Sequence, residues 1–223
     1  LLLIGVIAGN IRSIAVPTLV NILIPEYDSA KANGLVGTAF GIAKEKNLLL
    51  RSRAKVGDIL CVTGDIGSAA AGFYCLIKNI PGYTHFIKSA LEPKARIKEG
   101  MAIAGIATSC IDVSDGLAWS IHELTIRSRV GLKVFLEKIP FDKGIREVSG
   151  LSKVKFEDVL LYKGGDYELL FTVPRERYPL LERRLKRLVS RPAAIGEITR
   201  KGNYLIGKTG ERRVLEKKGW EAF

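Results

Sequence analysis

Apolar and polar positions alternate along this chain in short blocks, and the blocks change period several times. Leu1–Ile11 is a short apolar run followed by Arg12, and Leu19–Ile24 is another, closed by Pro25; both predict buried strands. Tyr27–Lys46 places Ala30, Val36, Phe40 and Ala43 in loose helical spacing, so a helix is expected there despite three glycines. Arg51–Asp58 is polar. Ile59–Thr63 then predicts a strand, Gly64–Gly67 a turn, and Ala69–Lys78 a helix that Ser68 is placed to cap. The small residues Ala69–Gly72 in that helix predict close packing against a neighbour. Pro81–Gly82 breaks the chain, and Pro93–Ile106 predicts the next helix. A strand over Ser109–Val113, a helix over Leu117–Arg129 and a strand over Leu132–Leu136 follow. In the last third, Tyr167–Val173 is a strand candidate. Arg175–Val189 is a basic amphipathic helix, with Tyr178, Leu181, Leu185 and Leu188 on one face. Ala193–Thr199, Tyr204–Ile206 and Arg213–Leu215 are short strand candidates. Strands and helices are interspersed without a strict βαβ series, so the expected fold is α+β or mixed α/β. The best place to cut the chain is near Arg51–Gly57.

Composition adds bounds to this picture. A chain of 223 residues, 47% hydrophobic and 26% charged, has an ordinary globular composition with ample core. No window approaches the roughly 18 continuous apolar residues of a membrane helix, and Leu1–Ile11 is too short and lacks the basic leader of a signal peptide. Cys61, Cys75 and Cys110 are odd in number and have no CxxC spacing. That argues against a disulfide framework or a cysteine-rich zinc site and for a reducing cytoplasm, the three thiols being core. Only two histidines are present, His85 and His122, so histidine-based metal or triad chemistry has little material. His122 falls on the polar side of its helix and is expected in solvent, and His85 has no visible partner. The chain has no Gln and one Met beside many Lys, Arg and Glu, the bias of heat-adapted proteins. Its net charge is +12. No aromatic-interleaved basic stripe appears, which argues against nucleic acid; a site for phosphorylated small molecules and a plain soluble basic surface fit the charge equally.

Three segments carry candidate chemistry. In Ile111-Asp112-Val113-Ser114-Asp115-Gly116, two carboxylates three apart follow a strand and precede a helix, with a hydroxyl between them. Such a turn can aim both acids at one hard cation and the hydroxyl at a phosphate oxygen; equally, Asp115 can simply cap the helix. Gly164-Gly165-Asp166-Tyr167-Glu168 opens a strand with two glycines and an acid, which suits either close backbone approach to a ligand or a plain turn. Gly64-Asp65-Ile66-Gly67-Ser68 joins a strand to a helix but matches neither the dinucleotide fingerprint nor the Walker pattern. Arg51 and Arg53 flank Ser52, and arginine suits bidentate phosphate contacts.

Taken together and in order, RSRAKVGD (51–58), CVTGDIGSAAAGF (61–73), DVSDGLAWSIHEL (112–124), GGDYELLFTV (164–173) and the terminal GW-x-x-F make the chain resemble thiamine-monophosphate kinase. That family lies in the superfamily of aminoimidazole ribonucleotide synthetase, selenophosphate synthetase and the hydrogenase-maturation dehydratase. The resemblance runs over about residues 17–223. It implies an N-terminal ATP-binding domain, 1–55, that pairs strands with a second subunit to form a homodimer, and a C-terminal α/β domain, 56–223. It implies a cytoplasmic ATP- and Mg2+-dependent kinase that acts on thiamine monophosphate, with no nucleic-acid or membrane partner. By position, Asp112 and Asp115 would be Mg2+ ligands, and Arg51 and Ser114 ATP contacts. Trp220, Phe223 and Asp166 would lie by the substrate, and no residue serves as a catalytic base or nucleophile.

The departures are specific. The family carries an acidic pair near its N-terminus, an Asp before the segment matching Ser13–Pro17, and a Gly-Gly-Asp element before the RSRAKVGD match. None is present here, so the N-terminal domain is incomplete by that measure. Gly165 stands where the kinases have a substrate-contacting Glu. Another ATP-using enzyme of the superfamily, or a non-catalytic dimeric ligand-binding relative, are the alternatives.

Overall fold

The computed structural model describes residues 48–188 and 192–219. The expected N-terminal domain up to residue 47, with its two strands and helix, lies outside the described residues, as do Trp220 and Phe223.

Seven strands form one sheet among the described residues: β1 (Ile59–Val62), β2 (Ser109–Val113), β3 (Gly131–Phe135), β4 (Glu168–Val173), β5 (Ala193–Thr199), β6 (Asn203–Ile206) and β7 (Arg212–Val214). Their order is β2-β4-β1-β5-β3-β6-β7. Every pairing is antiparallel except β3 with β6. The central strands are buried on both faces, and the pleat divides their side chains. Leu60 and Val62 of β1, Ile111 and Val113 of β2 and Leu170 of β4 join one cluster with Leu117, Ile121 and Leu124. Cys61, Cys110, Phe171 and Val173, the alternate positions, join a second with Ile103, Leu181 and Leu185. The mixed α/β expectation is borne out, with helices on both faces of the sheet.

The helices are α1 (Ser68–Ile77), α2 (Thr84–Leu91), α3 (Ile97–Ile103), α4 (Leu117–Ser128), α5 (Gly144–Ser152), α6 (Phe156–Leu161) and α7 (Tyr178–Lys186). The close packing expected of α1 is present: a Cβ on Gly72 would collide with the Phe86 carbonyl of α2. Leu181 and Leu185 are the buried face of α7. Three expectations are corrected. The helix expected over Pro93–Ile106 is shorter, Ile97–Ile103, and Pro93, Lys94 and Arg96 before it line a cavity. The Arg175–Val189 helix starts as a 3-10 turn over Arg175–Arg177 and becomes α-helical at Tyr178. Helices α2, α5 and α6 were not expected. They have six to nine residues, too few to form on propensity, and tertiary burial of Phe86, of Ile145 and Val148, and of Val159–Leu161 fixes them.

Residues 48–58 run along this sheet. Cys110 N–H donates to the Leu50 carbonyl at 3.0 Å and Gly57 N–H to the Ile198 carbonyl at 3.0 Å. The Ser128 hydroxyl donates to the Arg51 carbonyl at 2.9 Å and accepts from Ala54 N–H at 3.1 Å. These bonds set Arg51 beside the end of β2.

Candidate functional site

The acid turn leaves β2 at Val113 and enters α4 at Leu117. Asp112 is on the strand's last turn of pleat, half-exposed, with its carboxylate 3.9 Å from the Arg51 guanidinium. Asp115 is pushed above the usual carboxylate range, first by burial and then by the Asp112 carboxylate, with Arg51 opposing. Two acids and an arginine predicted from separate motifs are therefore neighbours. Asp115 does not cap α4: the N-cap is Gly116, with no side-chain cap bond. Among the described residues no group of three or more His, Cys, Asp or Glu is arranged to hold a metal. The two hard oxygen donors fit a Mg2+ that takes its other ligands from phosphate and water, the usual mode for this ion.

A strap, Gly164–Tyr167, lies across the turn. Gly165 N–H donates to the Ser114 carbonyl at 2.8 Å and Tyr167 N–H to the Val113 carbonyl at 3.0 Å. Only glycine permits this approach at position 164, where a Cβ would overlap the Ser114 carbonyl oxygen. Gly165 and Tyr167 have positive φ, 99° and 52°. Tyr167 reaches the acid pair closely enough that Asp112 and Asp115 add to burial in raising its phenol pKa.

Asp166 points the other way. Its Oδ2 accepts from Gly67 N–H at 2.7 Å and its Oδ1 from Ala69 N–H at 2.9 Å. The cap expected from Ser68 is thus supplied from 99 positions away, and Ser68 is itself the first residue of α1. Burial pushes Asp166 up to about 7, against the amide bonds that favour its charged form. Glu168, on β4, is buried. It accepts from the Thr63 hydroxyl at 2.6 Å and pairs with Arg96, which also reaches Glu99 at 3.5 Å. Asp166, Glu168, Arg96, Asp65, Ser68 and Lys88 line a polar cavity of about 420 Å³.

The segment leading to the terminal motif is tied to α4. Asn203 donates its side-chain amide to His122 Nδ1 and to Thr125 Oγ1, both at 3.0 Å. That places the imidazole proton on Nε2, which donates to the Leu215 carbonyl at 2.9 Å. His122 is therefore a structural clamp, which corrects its expected place in solvent. Lys217 lies over the Trp119 ring at 4.6 Å, and a Cβ on Gly219 would come 2.7 Å from the Asp115 carbonyl. The chain thus arrives at the acid turn as it enters the GW-x-x-F motif. His85 has a partner after all, Asp142 at 3.6 Å. The three cysteines are buried, as expected, and burial pushes Cys110 up to about 12. Sequence reasoning missed Arg96 as the partner of Glu168, because no local pattern links residues so far apart.

The family description "AIR synthase related protein, C-terminal domain" matches residues 55–208. The chain belongs to this family. Thiamine-monophosphate kinase from Buchnera aphidicola (subsp. Schizaphis graminum) is 34% identical over 194 residues, which cover 82% of this chain and 58% of that protein. The Pyrococcus abyssi thiamine-monophosphate kinase is also 34% identical, over 87% of this chain and 59% of the relative. The chain therefore spans somewhat under three fifths of the curated relatives it matches. The solved structure of AaThiL complexed with AMPPCP and TMP superposes with a TM-score of 0.66 and 29% identity, over 78% of this chain and 54% of the other. The resemblance to thiamine-monophosphate kinases read from the motifs is borne out by these relatives. No helix among the described residues is long and apolar enough to cross a membrane.

Proposed function

We propose that this chain serves an ATP- and Mg2+-dependent kinase that phosphorylates thiamine monophosphate, giving thiamine diphosphate and ADP. The observation that carries the reading is the acid turn, with Asp112 and Asp115 beside Arg51, in a chain about one third identical to kinases of that name. The complex of a relative with AMPPCP and TMP supports the same pair of substrates.

In this reading a phosphate oxygen of thiamine monophosphate attacks the γ-phosphorus of ATP. The new P–O bond forms as the bond to the β–γ bridging oxygen breaks, and ADP leaves with that electron pair. The attacking oxygen is already anionic, so no general base is required, and positioning and charge neutralisation carry the rate. That suits a site with no nucleophile–base constellation. Arg51 would neutralise polyphosphate charge, and the Ser114 hydroxyl would donate to a phosphate oxygen. Asp112 and Asp115 would hold Mg2+, which when bound neutralises the phosphate oxygens. By the resemblance, Phe223 and Trp220 would lie by the thiamine ring system. The working protein would be a cytoplasmic homodimer.

The test is direct: incubate the purified chain with ATP, Mg2+ and thiamine monophosphate at moderate and high temperature, and follow thiamine diphosphate by chromatography. Product above a no-enzyme control is expected. A folded, dimeric protein that makes none would overturn the kinase reading in favour of another ATP-using enzyme of the superfamily or a non-catalytic ligand-binding relative.

A further inference from the structure

Asp166 belongs to a motif that the mechanism above does not use, and its surroundings are unusual. Both carboxylate oxygens are engaged by main-chain amides of the α1 N-terminus, at 2.7 and 2.9 Å. The residues on either side of it grip a different loop: Gly165 holds the Ser114 carbonyl and Tyr167 the Val113 carbonyl. One four-residue strap therefore ties the loop before α1 to the loop before α4. The strap is held in a left-handed conformation at both Gly165 and Tyr167. A tyrosine keeps such a conformation only where both sides are pinned. The N-cap, Gly67, has no side chain to do this, and the Asp166 carboxylate bonds the α1 N-terminus in its place.

We propose that Asp166 is a positioning residue. Its carboxylate latches the α1 N-terminus to the strap, and the strap sets the place of Ser114 and Asp115. On this proposal Asp166 acts through the strap and does not contact substrate. The activity arm of the inference rests on the kinase reading; the structural arm does not.

The test uses the full chain and Asp166→Asn, whose side chain keeps one oxygen acceptor but turns an amide donor toward the second N–H. Amide spectra of the variant should shift at Gly67 and Ala69 and also at Ser114–Gly116, on the far side of the strap. With ATP, Mg2+ and thiamine monophosphate at pH 8, kcat should fall about tenfold or more, as expected for an ångström-scale misplacement. KM for thiamine monophosphate should stay within about twofold, because no substrate contact is lost. Shifts confined to residues near 67–69 and 166, with kcat unchanged, would overturn the latch. A raised KM with kcat intact would also overturn it and restore the substrate contact. Should the variant not fold, wild-type hydrogen exchange decides. Gly67, Ala69, Gly165 and Tyr167 amides should exchange together as one opening unit, and unrelated rates refute the latch. If the wild type makes no thiamine diphosphate, the kinase reading fails alone, and the spectra and exchange rates still judge the latch.

Discussion

Replacing Gly164 by alanine tests the strap where it is tightest. The added Cβ would overlap the Ser114 carbonyl oxygen, and both collision partners are backbone, which no rotamer change relieves. The strap must retreat by roughly 1 Å, a displacement that packed interiors resist. Two bonds are then lost or stretched, Gly165 to Ser114 at 2.8 Å and Tyr167 to Val113 at 3.0 Å. At about 0.5 kcal/mol for each stretched bond, plus about 1–2 kcal/mol of overpacking strain, the cost is about 2–3 kcal/mol. For a domain of this size that lowers Tm by roughly 4–12 °C. Urea denaturation should show a lower midpoint at unchanged m-value, and kcat of the kinase reaction should fall with it. Gly150 is the control. It lies inside α5 with open space around it, so Gly150→Ala should stabilise by up to about 1 kcal/mol through helix propensity. A Gly164→Ala protein with wild-type Tm and kcat would refute the argument.

Other outcomes follow from the same geometry. Asp112→Asn should reduce kinase turnover severely while leaving Tm within a few degrees. Its carboxylate is 41% exposed and its ion pair with Arg51 is 3.9 Å long, a pair worth about 1 kcal/mol or less; near-normal turnover would count against its assignment as a metal ligand. Glu168→Gln should cost about 2–3 kcal/mol in chemical denaturation, at or below the lower end for a broken buried pair, since Arg96 is 28% exposed and keeps Glu99. A loss under about 0.5 kcal/mol would show that the pair does not hold β4 to the 93–99 segment. Asp166 gives a pH signature. Its folded pKa of about 7 lies above the unfolded value of about 3.9, so its contribution to stability is fully present below about pH 4 and is lost as pH rises through 7. The Tm difference between wild type and Asp166→Asn should therefore shift against the wild type as pH rises from 4 to 8, and a shift in its favour would mean that the amide bonds outweigh burial.

Much of this molecule was legible in its residue pattern. β1, β2, β3 and β5, and helices α1 and α4, fall within a residue of their expected bounds, because each has a strong periodic or apolar signal closed by glycine or a polar turn. The motifs also named the acid turn and Arg51, and placed them together only through a family resemblance. The short helices α2, α5 and α6 carry no such signal, since segments of six to nine residues are too short to be helical on propensity.

What the sequence by itself determined is therefore local: where the chain turns, which residues face a core, and which short acidic and glycine-rich segments are free to do chemistry. Tertiary structure alone decided which of these segments meet. Nothing local tells that Asp166 caps α1, that Arg96 pairs with Glu168, or that His122 clamps the segment leading to Gly219. Such contacts close loops of 72 to 99 residues. Their free energy comes from the burial that packs helices onto the sheet's two faces, which no window of sequence can contain.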